Sequence, residues 1–443
     1  MASSFTAFGT APAAAGTFVY VSNADDGDID GYALDQASGA LTPLGRTPAG
    51  PKVMPMTVSP DRRHLYAVVR SEPFAVLTYA IDPASGALRQ EATAPLPDSM
   101  AYVSTDATGR VLFTASYGGD KVAASPIGAD GLVKAEAGQV IPTGRNAHAI
   151  RADRSNRFVY ATNLGSDQIV QFRFDAATGR LTPNDPPAVE VAAGNGPRHP
   201  VLSPDDRHLY VLCELSGNVL HFAVDQDKGT LTLRDSTGTV PPEAGLVPGL
   251  PPGAPPATDG KARIWAADLQ ATPDGRFLYA TERTTSRIAL LSIDPGTGKP
   301  AYVGNYATET QPRGIRVDGS GSWLVATGEK SDRLSVYRID KADGALTPVG
   351  RYPVGRGANW VEIVEVPRRR GGSGDQADGA LRRTPDKKAG AASRTRPPRR
   401  IRRAIPAGSR CNKDISRRAA GCQLFGISLI EMLMKPGPLT TPS

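Results

Sequence analysis

Short runs in which apolar and polar residues alternate recur along most of the chain. One apolar run returns in seven variants: FVYVSN (from residue 18), HLYAVV (64), VLFTAS (111), FVYATN (158), HLYVLC (208), FLYATE (277) and WLVATG (323). Most follow a turn such as SPDRR, DATGR or TPDGR, and each precedes a second alternating run and a Gly-containing turn. Period-two alternation of β-branched and aromatic residues between Gly, Asp and Pro turns indicates antiparallel strands.

The spacing of these runs predicts the architecture. The copies begin 46–50 residues apart, with one longer interval before residue 277. A repeat of this length built from four short strands is typical of a β-propeller blade. We name the strands a to d in chain order, with the seven apolar runs as the b strands. The sequence therefore predicts an all-β fold, a seven-bladed β-propeller.

The two ends of the repeat region predict how the ring closes. The first copy begins at strand b, and GANWVEIVEV at 357–366 is a strand a without a blade of its own. We expect this C-terminal inner strand to complete the first blade, which removes an open sheet edge. The propeller domain should span 17–367, after a flexible segment 1–16. Pro- and Gly-rich residues 236–263 predict a long surface loop before the sixth blade.

Charge separates the end of the chain from the rest. After Pro367 there are 18 Lys and Arg against 5 Asp and Glu, whereas residues 1–367 hold 33 basic and 39 acidic residues. The high charge and the Pro and Gly content predict a disordered basic tail over 368–443. It is expected to be a solvated appendage, with a tether to nucleic acid or another anionic surface as the alternative. The basic net charge is no sign that the propeller itself binds nucleic acid.

Three cysteines, Cys213, Cys411 and Cys422, cannot form a disulfide framework and lack metal-site spacing. The N-terminus lacks the basic and apolar regions of a secretory signal. The longest apolar run, at 422–434, is too short to span a membrane. These features favour a cytoplasmic protein without a membrane partner. They leave the oligomeric state open.

Hairpin geometry predicts which polar residues meet. The start of strand a and the end of strand b lie at the same end of a blade, because the chain reverses between them. His64 and His208 fall in the turns at the opposite end, and His221 falls within a strand c. The residues expected around one mouth of the central channel, from the fourth blade to the closing strand, are His148, Arg198, His199, Glu214, Asp268, Arg283, Arg313 and Asn359.

These side chains suit an anionic ligand and an acyl-transfer reaction. Guanidinium groups match phosphate or carboxylate oxygens in pairs. A histidine beside a glutamate can take a proton from water, and arginines can stabilise the oxyanion that forms. The chain has no G-x-S-x-G nucleophile motif and no H-x-x-x-H or C-x-x-C metal spacing. Hydrolysis without a cofactor, a metal or a covalent intermediate is the simplest enzymatic interpretation.

Three segments of the chain resemble those of a known family. ASYGGDKV, GPRHPVLSPDDRHLYVLCELSGNV and ATPDGRFLYATERTTSRIALLSID are similar to segments of the seven-bladed propeller lactonases of the bacterial 6-phosphogluconolactonase type. That group includes the fungal 3-carboxy-cis,cis-muconate lactonizing enzyme. The similarity covers about residues 17–366. It departs where NELS becomes CELS at Cys213, where SNRG becomes TERT, and where H-x-H becomes NAH.

The resemblance implies a reaction and a set of residues. The reaction is hydrolysis of 6-phosphogluconolactone, an anionic sugar lactone, to 6-phosphogluconate. Arg198 and Arg283 would bind anions and stabilise the oxyanion. His148 would be the general base or acid, and Glu214 would orient it or activate water. His199, Asp268 and Arg313 are the further candidates for substrate binding at the same mouth.

Three other interpretations stay open. The protein could be a muconate-type cycloisomerase, a lactonase for another substrate, or a non-catalytic propeller that binds a protein on this face, since a fold does not fix a function. A calcium-dependent gluconolactonase is disfavoured because no cluster of Glu, Asn and Asp ligands stands out.

Overall fold

The structure is a computed structural model that describes residues 16–366. Within that range the chain forms seven four-stranded antiparallel sheets. Blade 1 contains β1 (Thr17–Asn23), β2 (Asp28–Leu34) and β3 (Leu41–Pro48). Blade 2 contains β4 (Val53–Val58), β5 (His64–Val69), β6 (Ala75–Ile81) and β7 (Leu88–Pro95). Blade 3 contains β8 (Met100–Thr105), β9 (Val111–Ser116), β10 (Lys121–Pro126) and β11 (Gln139–Pro142).

The remaining blades follow the same order. Blade 4 contains β12 (Ala147–Ala152), β13 (Phe158–Asn163), β14 (Gln168–Asp175) and β15 (Arg180–Glu190). Blade 5 contains β16 (Pro197–Leu202), β17 (His208–Cys213), β18 (Asn218–Val224) and β19 (Leu231–Gly238). Blade 6 contains β20 (Ala266–Ala271), β21 (Phe277–Glu282), β22 (Arg287–Ile293) and β23 (Pro300–Ala307). Blade 7 contains β24 (Pro312–Val317), β25 (Trp323–Gly328), β26 (Arg333–Ile339) and β27 (Leu346–Pro353).

The last strand closes the ring, as predicted. β28 (Ala358–Glu365) pairs antiparallel with β1 and becomes the inner strand of blade 1, with Phe18 opposite Val364. The inner strands of neighbouring blades contact one another all the way round the axis. The prediction of a seven-bladed all-β propeller is confirmed. The flexible segment 1–16, apart from Gly16, and the tail 368–443 lie outside the described residues, so those predictions and the 17–367 boundaries stay predictions.

The long loop before blade 6 begins later than predicted. Residues 236–238 belong to the end of β19, because their backbone pairs with Asn218–Leu220 of β18 despite an unfavourable composition. Pro242–Ala244 then form one turn of 3₁₀ helix. The described part of the chain holds no helix long and apolar enough to cross a membrane.

The hydrophobic core is divided among the blade interfaces. Each of the seven buried clusters in the described chain joins two adjacent blades; one of them, for example, packs Tyr20 and Ile29 of blade 1 against Leu65 and Tyr79 of blade 2. Burial of apolar side chains therefore stabilises the contacts between blades, and no blade has a core of its own.

A repeated contact, which we call the glycine latch, joins each blade to the next. The turn between strands c and d carries a glycine with φ of 70–79° in all seven blades: Gly39, Gly86, Gly131, Gly179, Gly229, Gly298 and Gly344. A residue at the start of strand b in the preceding blade, its first residue in six blades and its second in blade 1, lies against this glycine. An added Cβ at Gly229, for example, would lie 2.1 Å from Phe158 Cδ1. In five blades a strand-b tyrosine also donates a hydrogen bond to the glycine carbonyl, at 3.1 Å for Tyr160 and Gly229.

The latch predicts that Gly229→Ala destabilises the protein strongly. The new methyl group would meet the Phe158 ring, and alanine is disfavoured at φ of +70°. We expect a loss of about 2–4 kcal/mol in the free energy of unfolding, read as a lower thermal midpoint by calorimetry. Gly253→Ala is the matched control, because Gly253 has φ of +80° but no heavy atom within 4 Å of an added Cβ. Equal effects of the two substitutions would show that backbone strain alone matters.

Candidate active site

An irregularity at the start of every inner strand builds the channel mouth. In each of the seven a–b pairs of the described chain, one extra residue on strand a interrupts the register near its start. Arg198, for example, has no partner between the pairs Pro197–Cys213 and His199–Leu212. Such bulges change the direction of a side chain and end regular pairing. His148, Arg198, Arg313 and Asn359 all occupy bulge positions.

The residue that follows strand b supplies the second set of side chains. Glu214 follows β17 and Arg283 follows β21. Their backbone amides donate to Gly196 O at 2.7 Å and to Trp265 O at 3.1 Å, which fixes each residue against the start of strand a. The structure therefore places Arg198, Glu214 and Arg283 at one mouth of the channel.

Glu214 binds both arginines. Its Oε2 accepts hydrogen bonds from Arg198 Nε at 2.8 Å and from Arg283 Nη2 at 2.9 Å. Burial would raise the pKa of Glu214, but Arg283 and Arg198 outweigh burial and hold that pKa below its ordinary value. Burial lowers the pKa of Arg198 to about 10 and that of Arg283 to about 9, so both stay charged at neutral pH. The cluster is one carboxylate between two guanidiniums.

Several atoms of the cluster remain free for a ligand. Among residues 16–366, Glu214 Oε1, Arg198 Nη2 and Arg283 Nη1 make no hydrogen bond. Arg283 also stacks on the Trp265 ring, 3.6 Å from its centroid, and Trp265 is 40% exposed. The mouth thus offers one acceptor and two positively charged donors beside an exposed aromatic edge.

His148 is a buried, neutral imidazole beside this cluster. The residue as a whole is 4% exposed to solvent, and neither ring nitrogen has a hydrogen-bond partner within the described chain. Burial, and then the charge of Arg198, lower its pKa well below 6.5. Its ring lies edge-on to Tyr117 at 5.8 Å and to His199 at 5.2 Å, measured between centroids. No hydrogen bond joins His148 to Glu214 in the described structure, so the orienting role predicted for Glu214 stays a prediction.

His199 and Asp268 lie behind Arg198. His199 Nδ1 is 2.8 Å from Asp268 Oδ1, and His199 Nε2 is 3.1 Å from Arg198 Nη1. A guanidinium can only donate, so Nε2 must accept and Nδ1 must carry the proton. Burial, with the nearby Arg198 charge, lowers the pKa of His199 to about 4. These contacts position Arg198; substrate binding by His199 and Asp268 stays a prediction.

An aromatic layer crosses the channel at this depth. The rings of Tyr102, His199 and Trp360 lie 5.2–5.7 Å apart. These side chains line a cavity of about 260 Å³ toward the other end of the channel, which His148, Arg198, Glu214 and Arg283 do not border. The catalytic candidates therefore face one mouth only.

Arg313 reaches the mouth from blade 7. Its Nη1 lies 3.3 Å from Glu329 Oε1, and its charge acts on Arg198, Arg283 and Glu214. The other histidines lie elsewhere: His208 Nδ1 is 2.9 Å from His221 Nε2 at the outside of blade 5.

Sequence reasoning missed four residues of the mouth: Arg70, Tyr117, Trp265 and Glu329. Three of them follow a strand b, as Glu214 and Arg283 do. Applying that rule to every blade would have found Arg70, Tyr117 and Glu329. Trp265 had no comparable signal, because it ends an irregular loop.

Comparisons with known proteins identify the family of the chain. A sequence model described as lactonase, 7-bladed beta-propeller, matches residues 13–363. The chain belongs to that family. This propeller lactonase is 39% identical over 347 residues to a 6-phosphogluconolactonase of Serratia proteamaculans, covering 78% of this chain and 98% of that one. It is 37% identical to the protein of the same name from Pectobacterium carotovorum, with 79% and 98% covered.

Solved structures show the same fold. The periplasmic gluconolactonase PpgL of Pseudomonas aeruginosa superposes on this lactonase with a TM-score of 0.69 at 26% identity, covering 80% of this chain and all of that one (100%). A putative 6-phosphogluconolactonase of Bacteroides uniformis superposes with a TM-score of 0.68 at 25% identity, and the match covers 79% of this chain and 100% of that one.

The neutral state of the buried histidines predicts a loss of stability in acid. Unfolded histidine binds a proton near pH 6.5, whereas folded His199 does so only near pH 4. The unfolded state therefore binds more protons below pH 6.5, and stability falls as the pH drops from 6.5 toward 4. We expect the thermal midpoint of wild type to fall more steeply over this range than that of His199→Asn, which keeps a donor for Asp268. Parallel curves by calorimetry would contradict this assignment.

Proposed function

We propose that the protein hydrolyses 6-phosphoglucono-1,5-lactone to 6-phosphogluconate by activating water directly. The observation that carries this proposal is the Glu214 carboxylate held between the Arg198 and Arg283 guanidiniums, with free donor atoms and a neutral imidazole beside them. The relatives named 6-phosphogluconolactonase support the choice of substrate.

The proposed reaction begins with the lactone carbonyl oxygen facing the free nitrogens of Arg198 and Arg283. His148 removes a proton from water, whose oxygen attacks C1. The negative charge that forms on the carbonyl oxygen is stabilised by the two guanidiniums. The bond from C1 to the ring oxygen then breaks, and the protonated His148 gives its proton to that oxygen. The product is the open-chain acid, which ionises to the carboxylate.

His148 is the better base of the two candidates. Oε2 of Glu214 already accepts two charged hydrogen bonds, which lower the pKa and hence the basicity of that carboxylate. Burial also lowers the pKa of His148 and hence its basicity, but His148 is neutral at physiological pH. Both of its ring nitrogens are free of partners within residues 16–366, so the unprotonated one is available to take a proton. Glu214 orients the two arginines, and its Oε1 is available to hold the attacking water.

A lactone panel tests the proposal. Hydrolysis of 6-phosphogluconolactone and glucono-1,5-lactone, and ring opening of a carboxymuconolactone to the muconate, are measured above the spontaneous rate, with and without chelator. We expect fastest turnover of the phosphorylated lactone. Preference for the muconolactone would favour the cycloisomerase alternative, and no turnover of any lactone would favour a binding scaffold. Cell fractionation would test the cytoplasmic location that we propose, because PpgL, one of the structural relatives, is a periplasmic gluconolactonase.

The base assignment predicts the effect of His148→Gln. Loss of a general base lowers kcat/KM by about 10²–10⁴-fold, while the thermal midpoint should change little, because no hydrogen bond of the described protein is broken. His64→Gln is the control for loss of a histidine at the opposite end of a blade. Because His64 packs against Gly131 of blade 3 in the glycine latch, its activity is compared below its own thermal midpoint. Wild-type turnover by His148→Gln would refute the role of His148.

A further inference from the structure

Arg70 occupies in blade 2 the position that Glu214 and Arg283 occupy in blades 5 and 6. It directly follows β5, and its backbone amide donates to Lys52 O at 3.1 Å, as the amides of Glu214 and Arg283 donate to the start of their own strands a. Arg70 is therefore part of the same mouth, although neither the catalytic cluster nor the proposed reaction uses it.

Arg70 has no carboxylate partner within the described chain. Its Nε donates to Ser99 Oγ at 3.1 Å, and its Nη1 lies 3.5 Å from Met54 Sδ, a weak acceptor. Nη2 has no partner among residues 16–366. Burial, then the charges of Arg313 and Arg198, lower the pKa of Arg70 to about 10. A guanidinium withdrawn from water without a counter-charge is unfavourable by itself, so this environment suits an anion supplied by a ligand.

Arg313 is the charged residue that acts most strongly on Arg70. It lies at the bulge of β24, and its Nη1 donates a hydrogen bond to Glu329 Oε1 at 3.3 Å. Blade 1, between blades 7 and 2, presents only the small Ala24 and Asn359 at the corresponding positions. The charge of Arg313 reaches Arg70 across blade 1, because it helps to lower the pKa of Arg70.

The charges at the mouth do not balance. Among the groups whose charges act on one another, Arg70, Arg198, Arg283 and Arg313 face the carboxylates Glu214 and Glu329, while both histidines are neutral. The carboxylate of Glu282 instead accepts hydrogen bonds from backbone amides beside it. Asp268 lies deeper, where it accepts hydrogen bonds from His199 and from the amide of Ile315. One positive charge therefore remains in the cluster of Glu214 with its two arginines, and a second remains on Arg70, because Glu329 pairs with Arg313.

We propose that Arg70, with Arg313, binds the phosphate group of the substrate and makes the enzyme selective for a phosphorylated lactone. This inference rests on the proposed function. The two ends of the site then have separate tasks: Arg198 and Arg283 act at the reacting carbonyl, and Arg70 and Arg313 hold the far end of the sugar. Two guanidiniums suit a phosphate dianion, because each can donate two parallel hydrogen bonds to its oxygens.

Substrate comparison tests the proposal on Arg70→Gln. We expect kcat/KM for 6-phosphogluconolactone to fall about 10–100-fold, mainly through KM, as for loss of a hydrogen bond to a charged group. Turnover of glucono-1,5-lactone should change less than about twofold, because that substrate has no phosphate group for Arg70 to bind. Arg316→Gln is the control, because Arg316 lines the cavity at the other end of the channel.

Equal losses on both lactones would overturn the proposal, since Arg70 would then serve the reaction or the fold. An unchanged preference for the phosphorylated lactone would overturn it as well. If Arg70→Gln unfolds, Arg70→Lys provides the test: it keeps the charge but loses the paired hydrogen bonds. The lysine variant should show a smaller, phosphate-specific rise in KM, and an equal effect on both lactones would refute the proposal.

Calorimetric titration separates this inference from the proposed function. Wild type should bind 6-phosphogluconate more tightly than gluconate, and Arg70→Gln should lose most of that difference. If wild type hydrolyses neither lactone, the proposed function fails. An Arg70-dependent preference for 6-phosphogluconate would then still support the phosphate site, and its absence would overturn the phosphate site too.

Discussion

The glycine latch between blades is the contact on which the rest of the structure depends. Only glycine tolerates both the left-handed turn and the side chain that lies against it from the neighbouring blade. The last copy sets Trp323 of blade 7 against Gly39 of blade 1, so the same contact also closes the ring. The active-site distances follow from this spacing, because the 2.9 Å contact between Glu214 and Arg283 crosses from blade 5 to blade 6.

The bulges at the inner strands show how a repetitive fold provides an irregular site. A regular strand would alternate its side chains between the two faces of the blade. One extra residue breaks that alternation next to the axis, and the side chains at the break differ from blade to blade: His148, Arg198, Arg313 and Asn359. The scaffold can therefore stay constant while the chemistry at the mouth changes.

The sequence was sufficient for the fold because the repeat, the turns and the unpaired strand at 357–366 are local patterns. Hairpin geometry also predicted correctly that Arg198, Glu214 and Arg283 lie at one mouth of the channel. The partners within that mouth depend on side-chain rotamers and on contacts between blades, which no local pattern records. Glu214 binds the two arginines and not His148. His199 holds Arg198 because its Nε2, which carries no proton in this tautomer, accepts a hydrogen bond from Arg198 Nη1. The last three residues of β19 were predicted to belong to the loop, because Pro- and Gly-rich residues follow them directly.

The closing strand also determines where the chain enters and leaves the ring. Thr17 pairs with Glu365, and Val366 N donates to Gly16 O at 2.9 Å, so the two points are adjacent. Arg62, in the a–b turn of blade 2, donates to Glu365 O at 2.7 Å, which puts both points on the face opposite the catalytic mouth. A reporter domain or immobilisation tag joined at residue 16 or 366 would therefore be attached at the rear of the disc, away from the substrate entrance. Joining these two points directly and opening the ring at another loop would give a circular permutant with an unaltered entrance.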